Sequence, residues 1–89
     1  MVVLAYVLLV VKSGSEREVC KKASEFEEVV EASVLYGEYD AIVKVRTDDL
    51  SQLDKFLFDK LREIPDIFRS STMIVARQYK GKQIKNSGP

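Results

Sequence analysis

The chain opens on an apolar run without a break. Positions 2–11, Val-Val-Leu-Ala-Tyr-Val-Leu-Leu-Val-Val, hold nine aliphatic residues and one tyrosine before Lys12. A strand sends alternate side chains to opposite faces, so a sheet wet on one side reads apolar, polar, apolar, polar. This run does not alternate. The valines at 2, 3, 7, 10 and 11 favour a strand over a buried helix. We therefore expect a strand over Val2–Val11 that is buried on both faces. The run is too short for a membrane helix, which needs about 18 apolar residues. It also lacks the basic leading region and small-residue cleavage site of a secretory signal.

The next pattern is helical. Ser15 and Glu18 have capping-box spacing, and Val19, Ala23 and Phe26 fall on one face with Cys20 beside them. This predicts a helix from Glu16 to about Glu28. A β-rich stretch from Val29 to Tyr36 follows, then Gly-Glu-Tyr-Asp at 37–40, where Gly37 is free to take a positive φ. The strand pattern resumes at Ala41, with Ala41, Val43 and Val45 on one face and Ile42, Lys44 and Arg46 on the other. A second helix follows, with Asp49 and Gln52 at capping-box spacing. Leu50, Leu53, Leu57, Leu61 and Ile64 form its stripe, widened by Phe56, and Pro65 ends it. A last strand runs from about Phe68 to Tyr79. The domain is expected to end near residue 80, with 81–89 a flexible tail.

The order strand, helix, strand, strand, helix, strand predicts an α+β fold. Two split βαβ units of this kind make the ferredoxin-like βαββαβ sandwich, an antiparallel four-stranded sheet with both helices on one face. The first strand is central in that topology. The helices cover one of its faces and nothing in the chain covers the other. A large bare apolar patch is rare on a soluble monomer, so the chain is expected to dimerise through the sheet. Either Val3, Ala5, Val7 and Leu9 or the alternate set Leu4, Tyr6, Leu8 and Val10 would meet the partner.

Charge and composition remove several function classes. Lysine plus arginine and aspartate plus glutamate are equal at 14 each, so net charge is zero. Duplex binding needs a concentrated positive field, and nucleic acid is not expected as the main partner. Histidine is absent, which removes the commonest general base and metal ligand. The lone Cys20 excludes an intramolecular disulfide and a thiolate zinc cage, and it fits the cytoplasm. No metal, cofactor, catalytic residue or membrane contact is expected.

Three short segments stand out: Gly37, Tyr39 and Asp40; Pro65 and Ile67; and Arg69, Ser70 and Thr72. Together they resemble the effector-binding RAM domain of the Lrp/AsnC family of transcriptional regulators. Gly37, Tyr39 and Asp40 match its G-x-Y/F-D loop. Pro65 and Ile67 match its P-G-V turn, with Asp66 in place of the glycine. Arg69, Ser70 and Thr72 match its R-T-x-T-like strand, with serine for the first threonine. Family members usually carry an N-terminal helix-turn-helix domain. This sequence begins at the first RAM strand and so looks like a stand-alone RAM protein. The resemblance implies a sheet-to-sheet dimer, higher assembly into an octamer-like ring, and a small effector, usually an amino acid, bound between dimers. Two modes of action are open: joining full-length relatives in mixed oligomers, or responding to metabolite level alone. The expected effector contacts are Gly37, Glu38, Tyr39, Asp40, Ser70 and Thr72. Asp40 or Glu38 would meet an ammonium, while the Gly37 backbone and the Ser70 and Thr72 hydroxyls would meet a carboxylate. The effector itself is not named by the sequence.

Each of these residues also has a plain structural reading. Gly37 serves a hairpin, Asp40 bonds its own turn, and Ser70 and Thr72 are exposed strand positions. Cys20 is a small core residue, and Asp48 and Asp49 start a helix. Lys80, Lys82 and Lys85 belong to a solvated tail. Rival functions are a small dimeric ferredoxin-like enzyme of the monooxygenase kind and a purely structural oligomerisation domain. Acylphosphatases share the fold and size but need an anion loop with an arginine and a separate asparagine. The only asparagine here is Asn86. RNA-recognition domains line the open sheet face with aromatics, whereas Tyr6 is the only aromatic of the first strand.

Overall fold

A computed structural model describes residues 2–82. The expected tail falls largely at 83–89, including Lys85 and Asn86, which lie outside the described residues. The elements follow the expected order: β1 (Val3–Val11), α1 (Glu16–Ala23), β2 (Val29–Val34), β3 (Ala41–Thr47), a helical run that begins as α2 (Leu50–Lys55), and β4 (Ile67–Ile74). The four strands form one antiparallel sheet in the order β2-β3-β1-β4, the ferredoxin-like arrangement. No helix among the described residues is long and apolar enough to cross a membrane.

β1 sits between β3 and β4. Leu9 stands opposite Ala41 on one side and Ser70 on the other. Its odd positions, Val3, Ala5, Val7, Leu9 and Val11, are buried beneath the helices, while Leu4, Tyr6, Leu8 and Val10 are half-buried on the other face. Of the two sets offered for a partner, the odd one is enclosed within the chain's own core. Only Leu4, Tyr6, Leu8 and Val10 face outward. The register places Ile42, Lys44, Ser71 and Met73 beside them, which gives an apolar centre with a polar margin. Lys44 Nζ lies 5.9 Å from the Tyr6 ring centroid.

The helices depart from expectation in three places. Ser15 precedes α1 but makes no side-chain cap, so the Ser15–Glu18 box does not form. Its φ of −99° and ψ of 2° are not the extended geometry a capping hydroxyl needs, and its Oγ instead donates to Asp66 Oδ2 at 3.3 Å. α1 ends at Ala23 and not near Glu28. The Ser24 hydroxyl turns back onto the Lys21 carbonyl at 2.7 Å, and Phe26 swings in to meet Phe56 edge to face at 5.8 Å. In α2 the expected cap is present: Asp49 Oδ1 accepts from Gln52 N–H at 2.8 Å, and Gln52 Oε1 accepts from Asp48 N–H at 3.0 Å.

The third departure matters for the site. After α2 the run widens into a π turn at Phe56–Lys60 and tightens into a 3₁₀ turn at Leu61–Glu63. The Leu61 N–H donates to the Phe56 carbonyl, five residues back. The buried positions therefore run Leu53, Phe56, Leu61, Ile64, with a step of five across the wide turn. Leu57, expected in the core, is displaced to a half-buried shoulder, and Leu50 is exposed.

One ion pair ties the helical run to the start of β2. Lys60 Nζ lies 2.5 Å from Glu28 Oε2. Burial pushes the Glu28 carboxyl up, but the Lys60 hydrogen bond and charge more than offset it and hold it below the ordinary glutamate range. The same bond holds Lys60 above its ordinary range. A depressed carboxylate stabilises the fold above its unfolded pKa and loses that contribution as pH falls through the folded one. The expected outcome is that Lys60→Met lowers Tm at neutral pH by breaking the pair. The gap from wild type should close as pH drops below the glutamate range, about 4. A gap that persists at pH 2–3 in thermal denaturation would assign the loss to packing of the lysine stem.

Candidate functional site

Two ends of the sheet collect chemistry. At the C-terminal end of β1, the strand outruns β3, and the Asp40 side chain continues the ladder where β3 has not yet begun. Asp40 Oδ2 accepts from Val11 N–H at 2.9 Å, and Asp40 N–H donates to the Leu9 carbonyl at 2.8 Å. The Asp40 carbonyl in turn takes Leu35 N–H at 2.9 Å, which closes the loop. Gly37 sits at φ 145°, in the region that favours glycine, with open space around a would-be Cβ; conformation and not crowding demands it. Glu38 and Tyr36 are exposed, and Tyr39 is half-buried.

On the other flank of β1, the turn before β4 supports the same strand end. Asp66 holds φ 73°, the left-handed conformation that glycine takes without strain, so aspartate fills that role here. Its carbonyl accepts from Lys12 N–H at 2.8 Å. Where Val10 and Val11 pair with Arg69 and Ile67, the register shifts and Phe68 is the extra residue of a bulge. Phe68 is largely exposed.

That bulge opens one wall of a groove of about 330 Å³ between β4 and the helical run. Leu57, Phe58, Leu61 and Arg62 line one side, Phe68, Arg69, Ser70 and Thr72 the other, with Ile64 and Ile67 completing it. The register puts Ser70 and Thr72 opposite Leu9 and Val7, so both lie on the helix-covered face of the sheet. They remain exposed because the helices stop short of this edge. The Arg62 guanidinium carbon stands 4.9 Å from the Phe58 ring centroid. The volume falls at the lower end of small-molecule sites, about 300–1,000 Å³.

The groove brings Ser70 and Thr72 together but not with Gly37, Glu38, Tyr39 and Asp40. Ala41 and Ser70 flank Leu9 from opposite sides, so β1 separates the loop from the groove by two strand spacings, about 10 Å. Sequence reasoning missed Phe58, Arg62 and Phe68. The first two are four apart on a helix, a spacing that puts them on one face, but that face lies off the apolar stripe. A second groove, of about 560 Å³, lies at the other end of the sheet near Thr47 and Lys60. Glu27, Glu28 and Asp48 there balance Arg46, Lys55 and Lys60. None of the expected effector contacts lines it.

The family model for the Lrp/AsnC ligand binding domain matches residues 4–84. The HTH-type transcriptional regulator FL11 of Pyrococcus abyssi is 38% identical over 77 residues, 86% of this chain and 50% of that protein. The chain thus spans about half the length of the curated relatives it matches. Among solved structures, the hypothetical protein PHS023 from Pyrococcus horikoshii is 49% identical with a TM-score of 0.80, over 86% of this chain and 93% of that one. AsnC from E. coli is 25% identical with a TM-score of 0.84, over 92% of this chain and 56% of that one.

The Asp40 geometry yields a test of its structural role. A hydrogen bond to a charged group is worth roughly 1.5–3 kcal/mol, so Asp40→Ala is expected to destabilise the fold by an amount in that range. Asp40→Asn keeps an acceptor oxygen and should lose less than half as much. Urea denaturation followed by circular dichroism measures both. Equal losses would mean that the charge, and not the bond to Val11, is what counts.

Proposed function

This chain belongs to the Lrp/AsnC ligand-binding-domain family, and we propose that it binds a small effector of the amino-acid class and couples that binding to self-association. The observation that supports the reading is the groove beside β4. It joins two hydroxyls, Ser70 and Thr72, to two arginines, Arg62 and Arg69, and a wall of leucine, isoleucine and phenylalanine side chains. Hydroxyl and guanidinium donors suit a carboxylate, and the wall suits an apolar side chain. The Gly37–Asp40 loop reaches such a ligand only from another copy, with Gly37, Glu38, Tyr39 and the second carboxylate oxygen of Asp40 as candidate contacts. Asp40 has one carboxylate oxygen engaged by Val11. Zero net charge supports a role that does not rest on duplex contacts of this domain.

Screening the twenty amino acids by thermal shift tests the effector reading, because a ligand that binds only the folded state raises Tm. For an effector so found, Ser70→Ala with Thr72→Val should weaken calorimetric binding by about tenfold or more, as expected for two lost hydrogen bonds at about 1 kcal/mol each. The double variant should keep the wild-type Tm in the absence of ligand. If no amino acid shifts Tm, the domain is a structural oligomerisation unit or takes another class of ligand.

Self-association is proposed through the face bearing Leu4, Tyr6, Leu8 and Val10. The support is its apolar centre and polar margin, the anatomy of a protein interface. Leu8→Asp would place an unpaired charge at that centre. The expected result is a monomer by light scattering at micromolar concentration with native circular dichroism. A wild-type chain that is itself monomeric under those conditions would overturn the proposal.

A further inference from the structure

The groove carries cationic and hydroxyl donors for one end of an amino acid and no anion for the other. Arg62, Arg69, Ser70 and Thr72 supply N–H and O–H groups, and the remaining lining is apolar. No aspartate or glutamate lines it. Glu63 and Asp66 adjoin its lining residues in sequence, yet neither is part of the wall. Asp66 Oδ2 already takes the Ser15 hydroxyl, and Asp40 Oδ2 takes Val11 N–H. Glu38 is held on the far side of β1. An α-ammonium placed in this groove would find no counter-ion among the described residues of the same chain.

Arg62 has the opposite character. Among the described residues it makes no ion pair. Its guanidinium stands against the Phe58 ring, and both residues line the groove. Packing against a ring limits the freedom of a long side chain while its N–H donors stay available, which lowers the ordering cost of receiving a carboxylate.

Resting on the effector reading above, we infer that this groove recognises its ligand through a carboxylate at Arg62 and an apolar side chain along Phe58 and Leu57, and does not read the ammonium. The ligand class is then a small monocarboxylate with an apolar body, 2-oxo acids included as fully as amino acids. Glu38 of another copy contributes nothing to affinity on this account.

Calorimetry on the full chain separates the possibilities. The probes are L-leucine and 4-methyl-2-oxopentanoate, L-phenylalanine and 3-phenyl-2-oxopropanoate, 2-phenylethylamine, and inorganic phosphate. The expected result is that each oxo acid binds within threefold of its amino acid or more tightly. The amine should not bind, and phosphate should not compete. Arg62→Gln should weaken the oxo acid and the amino acid alike, by roughly 10- to 100-fold, with the Tm of the free protein unchanged. An amino acid that binds more than threefold tighter than its oxo acid, whether or not Glu38→Ala abolishes the preference, would overturn the inference and leave the effector reading standing. Binding of the amine, displacement by phosphate, or undiminished carboxylate binding in Arg62→Gln would also overturn it. If neither the amino acids nor the oxo acids bind, the effector reading of the groove falls together with the inference.

Discussion

Strand β1 hydrogen-bonds to β3 along one edge and to β4 along the other, and its odd-numbered side chains fill the space beneath the helices. Both ladders need β1 to be central, and a central strand packed on one face already requires alternate apolar residues. This strand goes further and is apolar at the even positions too. Those residues lie outside the chain's own core, because no element among the described residues lies over them. Leaving them in water forgoes roughly 25 cal/mol for each Å² of apolar surface that a partner would cover. The doubly apolar strand would thus link the stability of the single chain to the association proposed for it.

The groove follows from a second constraint, the phase of the helical run. A regular helix from Leu50 to Ile64 would keep Leu57 and Leu61 on one stripe, as their spacing of four dictates. The π turn replaces one step of four with a step of five, from Phe56 to Leu61. Phe56 takes the core position against Phe26, and Leu57 moves outward with Phe58 and Arg62 alongside. On the strand side, the bulge at Phe68 alters the register at the start of β4. Two local irregularities, one in each element, shape the same groove. Wide helical turns and bulges cost backbone hydrogen-bond regularity, and both recur where a structure must present side chains.

The fold was legible in the sequence because it rests on periodicity. The run at 2–11, the alternation at 41–46 and the turn residues at 37 and 65 each state a local preference that the tertiary structure keeps. What failed to show was phase and competition. Nothing in Leu-Asp-Lys-Phe-Leu-Phe-Asp-Lys-Leu marks where one hydrogen bond skips a residue, so Leu57 read as core. Ser15 and Glu18 have the right spacing for a cap, but Asp66, some fifty positions away, claims the serine. The bond from Val11 N–H to Asp40 Oδ2 was not legible either, because that donor is exposed only once β1 outruns β3. The pairing of Ser70 with Thr72 on one face was legible from their spacing of two. Their distance from the Gly37 loop was not, since it depends on which strand lies between.

The same strand connects the two activities proposed for the domain. Alternation along β4 sends Ser70 and Thr72 to the groove, and sends Ser71 and Met73 to the open face beside Leu8 and Tyr6. A ligand against the first pair and a partner copy against the second would touch opposite faces of one edge strand, one residue apart. An edge strand is bonded to the sheet along one side only, so its position is set less firmly than that of β1 or β3. Small displacements of β4 would alter both surfaces together. A ligand shifts an assembly only by binding one state better than the other, and a strand shared by both surfaces supplies a physical route for such a difference. Coupling of effector to association then needs no long path through the protein. It needs β4 to sit slightly differently with the groove filled.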